Sequence, residues 1–148
     1  MLLAIDPGAC SGWALFTVSG KFIGCGVNDP TQHRWYSVSS LTRVVVERPR
    51  IYPRGGTKNP NDVVTLALNA GEWVGRYKPH GIKTQYVYPQ DWKGQTSKEV
   101  SHPRILAKLT GEERALIPPE GRGKGAMAKS KRHNLLDAVG IGLWAVGR

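Results

Sequence analysis

Two short apolar runs, LLAI at 2–5 and VVV at 44–46, each stop at an acid, Asp6 and Glu47. Runs this short are strands rather than helices, and runs apolar at every position belong to strands covered on both faces. If the two strands are adjacent and parallel, their terminal acids project from the same edge of the sheet. Taken singly, each acid has an ordinary reading: Asp6 as a turn residue before Pro7 and Gly8, and Glu47 as a surface partner of Arg48 or Arg50.

The intervening chain predicts what surrounds such a sheet. GWALFTV at 12–18 and KFIGCGV at 21–27 flank SGK and pair as a hairpin, with Gly20 supplying the tight turn. The polar stretch 28–40 leaves little room for a crossover helix. RPRIYPRGGTKNPN at 48–61, rich in proline, glycine and positive charge, reads as a loop. DVVTLALNAGEWVGRY then has helical spacing, with Val63, Leu66, Ala70, Trp73 and Tyr77 inward and Asn61 or Asp62 at the cap. KTQYVYP at 83–89 predicts a strand. A helix spans part of 99–110 around Pro103, with Ile105, Leu106 and Leu109 inward. Residues 118–132 read as a basic loop, and HNLLDAVGIGLWAV as a last helix. The order is four strands, helix, strand, helix, helix, which predicts a single α/β domain over 1–148 with a mixed sheet.

Charge narrows the partner. The 148 residues carry 21 Lys and Arg against 11 Asp and Glu, a formal charge of +10, which favours a polyanion such as nucleic acid. Cys10 and Cys25 are the only cysteines, which excludes a disulfide framework and a cysteine-based zinc site. The apolar run LLAI before Asp6 is too short for a signal peptide, and the apolar stretch 138–147 falls well short of the about 20 residues that span a bilayer. The expectation is a soluble cytoplasmic protein with no membrane partner.

In so basic a chain, acids at strand ends acquire a second meaning. Asp137 lies in the last helix, four residues from His133 and three from Asn134, so all three reach one face among Leu135, Leu136, Val139 and Leu143. That helix packs on the sheet and turns Asp137 inward, where a buried acid needs a partner or a metal. Three converging carboxylates repel one another, and magnesium or manganese, which take hard oxygen ligands, resolves the repulsion. Two basic groups flank these elements: Arg43, Arg48, Arg50, Arg54 and Lys58, then Arg122, Lys124, Lys129, Lys131 and Arg132. Their expected role is contact with phosphates beside the reacting bond, with Gly121, Gly123 and Gly125 letting the second group move. Trp35, Tyr36, Tyr52 and Trp92 are candidates for stacking on exposed bases, or equally for core and rim.

LLAIDPGACSGWAL at 2–15, VVVERP at 44–49 and HNLLDAVGIGLW at 133–144, with a weaker echo in YVYPQDWKG at 86–94, resemble the RuvC-type Holliday-junction resolvases of the RNase H-like nuclease superfamily. The resemblance implies an RNase H-like mixed five-stranded sheet with helices on both faces. It places the first-strand aspartate on Asp6, the central-strand glutamate on Glu47 and the final-helix aspartate on Asp137. Family members carry another acid or a histidine just before that last aspartate. Here Asn134 holds the nearer position and His133 the next one back; imidazole is the better ligand or water activator, so His133 is preferred and Asn134 is the fallback. The family helix before the glutamate strand has no room in 28–40, which marks a reduced version.

The implied chemistry is hydrolysis of phosphodiesters in four-way DNA junctions, with two magnesium or manganese ions per site about 3.5–4 Å apart. Asp6 bridges the ions, Glu47 and Asp137 complete their separate sites, and His133 acts on the water side. The products are 5′-phosphate and 3′-hydroxyl ends, and a two-fold homodimer cuts two symmetry-related strands. Two rivals stay open: a monomeric nuclease of the same fold acting on flapped DNA or structured RNA, and a non-enzymatic nucleic-acid-binding module. A more distant rival is an actin-like nucleotide site, whose cleft requires a second comparable domain for which this chain has no room, and the chain has no GxxxxGK loop.

Overall fold

The computed structural model describes residues 1–8, 10–28, 38–50 and 59–148. The five strands are β1 (Leu2–Asp6), β2 (Gly12–Phe16), β3 (Phe22–Val27), β4 (Arg43–Glu47) and β5 (Lys83–Val87), and they form one sheet in the order β3-β2-β1-β4-β5. β1 pairs antiparallel with β2 and parallel with β4; β2–β3 is antiparallel and β4–β5 parallel. The sheet is therefore mixed, with both acid-terminated strands at its centre.

Alternation along the strands divides the core in two. Leu2 and Ala4 of β1, Ala14 and Phe16 of β2 and Val45 of β4 face one side, under α3 (Lys98–Lys108) and α5 (Lys129–Ala145). Leu3, Ile5, Trp13, Leu15, Val44 and Val46 face the other, where α1 (Pro60–Tyr77) contributes Ala70, Trp73 and Tyr77. Helices thus cover both faces. None of the described helices is long and apolar enough to cross a membrane.

The close fit of α5 depends on missing side chains. A Cβ at Gly12 would come within 2.1 Å of the Asn134 carbonyl oxygen, and one at Gly142 within 2.0 Å of the Phe16 ring. Residues 135–143 of α5 are all buried, because the helix lies between the sheet and α3. In the β2–β3 turn, Gly20 sits at φ 86° as the hairpin requires, and the Thr17 N–H donates to the Lys21 carbonyl at 2.9 Å.

Several expectations change. The cap of α1 is Asn59, whose side chain accepts from the Asn61 N–H at 3.0 Å, rather than Asn61 or Asp62. Two short helices, α2 (Pro89–Lys93) and α4 (Gly111–Ala115), lie where no helix was expected. α5 starts at Lys129, so Lys129, Lys131 and Arg132 are helical rather than in a loop; the first turn is largely solvent-facing and has no apolar period to betray it. Most of the 28–40 connection, residues 29–37, lies outside the described residues; Val38–Ser40 form one 3-10 turn.

Buried Glu113 ties the edge of the sheet to its surroundings. Its carboxylate accepts from the Phe22 N–H at 2.8 Å, the Thr110 N–H at 2.9 Å and two Arg148 nitrogens at 2.8 Å each. The Arg148 hydrogen bonds lead these contacts in overcoming burial and hold the Glu113 carboxyl down at about 2, against an ordinary 4.5.

Two outcomes follow from this packing. Gly12→Ala forces backbone from backbone and costs about 1–3 kcal/mol or more, read as a lower urea midpoint with an unchanged m-value. Because the folded proton affinity of Glu113 is lowered, its contribution of about 3 kcal/mol is complete above the ordinary glutamate range and is lost as pH falls from about 4.5 to about 2. Stability measured across that window should slope steeply in the wild type and less in Glu113→Gln.

Candidate active site

The parallel pairing of Ile5 with Val46 brings the next residues, Asp6 and Glu47, out side by side at one end of the sheet. By alternation both share the face of Ala4 and Val45, the face that α5 covers. The turn after Asp6 is held from α1: Asn69 Nδ2 donates to the Gly8 carbonyl at 3.2 Å, and Trp73 Nε1 to Ser11 Oγ at 3.1 Å. Ser11 Oγ in turn donates to the Gly8 carbonyl at 3.2 Å.

Asp137 comes down from α5 onto this edge and is 3% exposed. His102 Nε2 lies 2.9 Å from its Oδ1, and Lys98 Nζ 3.0 Å and Lys93 Nζ 3.9 Å from its Oδ2. Glu47 accepts from Trp92 Nε1 at 2.7 Å. No hydrogen bond from the described residues reaches the Asp6 carboxylate. Asp6, Glu47, Asp137, Asn134, Lys93 and Lys98 line a cavity of about 370 Å³, with Arg50 at its wall. Val63 and Leu66 of α1 border it too, so these two positions face the cavity rather than the core.

Charge is unevenly shared among the three acids. Burial first, then the negative charges of Glu47 and Asp137, push the Asp6 carboxyl well above the ordinary range against the pull of Lys98 and Lys93. Burial likewise raises Glu47, with Asp137 adding to it and Lys93 and Trp92 opposing. At Asp137 burial acts in the same sense but is outweighed by the His102 hydrogen bond and by Lys93 and Lys98, which hold it low.

The structure gathers Asp6, Glu47, Asp137 and Asn134 at one cavity, while His133 is absent from its lining and packs against His102 with ring centroids 5.1 Å apart. Burial chiefly, then His102, holds the His133 imidazole low. Asn134 Nδ2 donates to the Cys10 carbonyl at 2.7 Å, which leaves its oxygen as the uncommitted end of the amide. His133 is not the histidine that touches Asp137: His102, 35 residues before it, is. Lys93, Lys98 and His102 were missed. The spacing of Lys98 and His102, four apart on α3, was visible, but nothing local says which acid they face.

The basic groups divide. Arg43 begins β4, about 13 Å of strand away from Glu47, and donates to the Ala145 carbonyl at 3.0 Å and Gln85 Oε1 at 2.6 Å. It is a structural arginine at the far end of the sheet. Arg50 hydrogen-bonds Gln90 beside the cavity, and Arg48 lies over the Tyr88 ring at 5.5 Å. Arg54 and Lys58 fall outside the described residues, as do Trp35, Tyr36 and Tyr52. Arg122 and Lys124 are exposed on a loop whose ends are joined by the Gly121 N–H to the Met127 carbonyl at 3.1 Å. Lys129 and Lys131 are exposed on the first turn of α5, and Arg132 donates to the Pro118 carbonyl at 3.1 Å. Trp92 is not a free stacking surface: a Cβ at Gly140 would come within 2.4 Å of its ring.

Among the described residues, no three His, Cys, Asp or Glu side chains stand close enough to form a ready-made metal nest. The donor set nonetheless suits a hard divalent cation, because three carboxylates line one cavity and one of them, Asp6, accepts no hydrogen bond from the described residues.

No protein-family model matches the chain, and no curated protein matches its sequence. Among solved structures, RuvC of T. thermophilus in complex with Holliday junction substrate aligns at a TM-score of 0.58 and 15% identity, over 96% of this chain and 89% of that one. The fold is RuvC-like, of the RNase H-like class. In this RuvC-like fold Asp6, Glu47 and Asp137 come from the two central strands and the helix laid over them.

Since the folded proton affinity of Asp6 is raised, its ionisation removes stability as pH climbs from the ordinary carboxylate range to its folded value. Asp6→Asn removes that loss. In chelator near pH 7 the variant should melt several degrees above the wild type, at about 2–4 °C per kcal/mol for a domain of this size, and the gap should close near pH 4.

Proposed function

We propose that this chain is a metal-dependent, structure-selective endonuclease that resolves four-way DNA junctions by paired phosphodiester hydrolysis. The observation that carries the reading is the convergence of Asp6, Glu47 and Asp137 at an open cavity with Lys93, Lys98 and Arg50 at its walls. Support for the substrate comes from the fold it shares with a RuvC captured with Holliday junction substrate, and from the net charge of +10.

Asp6, Glu47 and Asp137, joined by the Asn134 amide oxygen, would hold the ions, two magnesium or manganese per site. Such ions lower the pKa of water and polarise phosphoryl oxygens. The chain's own groups do the rest. Lys93 and Lys98 carry positive charge into a cavity that also holds three acids, where a phosphodiester must be drawn in against repulsion. His102, bound to Asp137, fixes the direction of that carboxylate. Arg48 and Arg50 on one side, and Arg122, Lys124, Lys129 and Lys131 on the other, offer phosphate contacts that position DNA without reading its sequence.

Paired cutting needs two copies. On the outer face of α1, Val64 and Leu68 are 57% and 64% exposed, and positions 71 and 75 are glycines with open space around them. The spacing 64, 68, 71, 75 is a heptad stripe, which suits self-association of α1 across a two-fold axis.

The test is cleavage of a four-way junction beside linear duplex, flap, RNA–DNA hybrid and structured RNA, each with magnesium, manganese or chelator. The junction should be cut preferentially, on two symmetric strands, and only with metal. Equal cutting of every substrate would sink junction resolution; preference for flap or RNA would point to the monomeric nuclease; no metal-dependent cutting would leave a binding module. Asn134→Ala should lower the rate about 10–100-fold, the usual cost of disturbing a metal's surroundings, and His133→Ala much less. The reverse order would return the ligand role to His133.

A further inference from the structure

Both oxygens of the Asp137 carboxylate are already engaged. Oδ1 lies 2.9 Å from His102 Nε2, and Oδ2 accepts from Lys98 Nζ at 3.0 Å. A carboxylate oxygen has a second lone pair to offer. An ammonium and a divalent ion on the same oxygen repel, however, so Asp137 Oδ2 holds one or the other.

The two partners of Asp137 differ in freedom. The His102 side chain is 10% exposed and packs against the His133 ring. The Lys98 side chain is 43% exposed and stands at the first position of α3, on a flexible four-carbon stem. Solvent is open to Lys98 and largely closed to His102. Lys93, the other cation beside Oδ2, stays 3.9 Å away, outside hydrogen-bond range, with its ammonium 4.6 Å from the Trp92 ring centroid.

Lys98 also answers more than one acid. It lines the cavity that Asp6, Glu47 and Asp137 share. Burial works to lower its proton affinity, but the charge and hydrogen bond of Asp137, then the charges of Asp6 and Glu47, raise it above the ordinary lysine value. Neutralising converging carboxylates is the service that a hard divalent ion performs.

We propose that Lys98 is a tethered stand-in for the divalent ion: it holds Asp137 Oδ2 until an ion arrives, then swings out to solvent. The inference rests on the metal-dependent reading above and adds to it that loading is an exchange of cations. The acids keep a positive neighbour throughout. Only protein with Lys98 detached is competent for the ion, so the apparent affinity is lower than the carboxylates alone would give.

Two measurements on the full chain without DNA test the exchange. In calorimetric titrations with magnesium or manganese chloride, Lys98→Met should bind roughly ten-fold or more tighter than the wild type, since no charge-assisted hydrogen bond has to be broken. Lys93→Met should gain clearly less, although it removes the same charge from the same cavity. The second measurement needs no variant: the wild type is acylated with an amine-reactive ester and each lysine is read by mass spectrometry. Saturating magnesium should speed the labelling of Lys98 several-fold and leave Lys83, exposed at the start of β5, unchanged. Equal or weaker binding by Lys98→Met, an equal gain in Lys93→Met, or Lys98 labelling that is unmoved or slowed by magnesium overturns the exchange while leaving a metal site in place. No ion bound by wild type or variant overturns the exchange and the metal-dependent reading together. Ion binding and labelling as expected, with no substrate cut, overturns the endonuclease and leaves the exchange standing.

Discussion

The direct seating of α5 on the hairpin side of the sheet governs most of what lies around it. Two glycines permit it, one on each partner: Gly12 meets the backbone at Asn134, and Gly142 receives the Phe16 ring. With a side chain at either place the helix would stand off, and Asp137 would rise away from the strand ends. The acids meet because backbone approaches backbone, a form of packing that no hydrophobic tally registers.

That proximity has an electrostatic cost which the surrounding helices offset. Asp137 is balanced by Lys93, Lys98 and His102 from α2 and α3, whereas Asp6, which accepts no hydrogen bond from the described residues, bears the strain as a raised proton affinity. The arrangement is asymmetric: one acid is satisfied by neighbouring side chains and another accepts no hydrogen bond from the described residues.

Much of this was legible in the chain. β1 and β4 announced themselves as apolar runs ended by acids, the hairpin by Gly20 between alternating segments, and α1 and α5 by spacing. Their order predicted a mixed α/β sheet, and the resemblance of the motifs at 2–15, 44–49 and 133–144 implied its RNase H-like form. What escaped was whatever tertiary structure alone decides. Arg43 looked like a neighbour of Glu47 on the same short strand, yet a strand has two ends and Arg43 is at the other one. Lys129, Lys131 and Arg132 read as loop because a solvent-facing first turn carries no period. His102 was invisible as a site residue because its partner is 35 positions away. His133, chosen for its chemistry, lost its place at the cavity to Asn134, whose neighbourhood only the fold supplies.

The parallel register of β1 and β4 behaves like a switch with two settings. Because neighbouring residues of a strand point to opposite faces, one residue inserted within LLAI or VVV would swing its acid from the α5 face to the α1 face. Insertions of almost any length in the connections would leave both acids where they are, since strand pairing and not loop length sets their position. Size variation among proteins built this way is therefore free to accumulate between strands, while the strands themselves stay fixed in length to the residue.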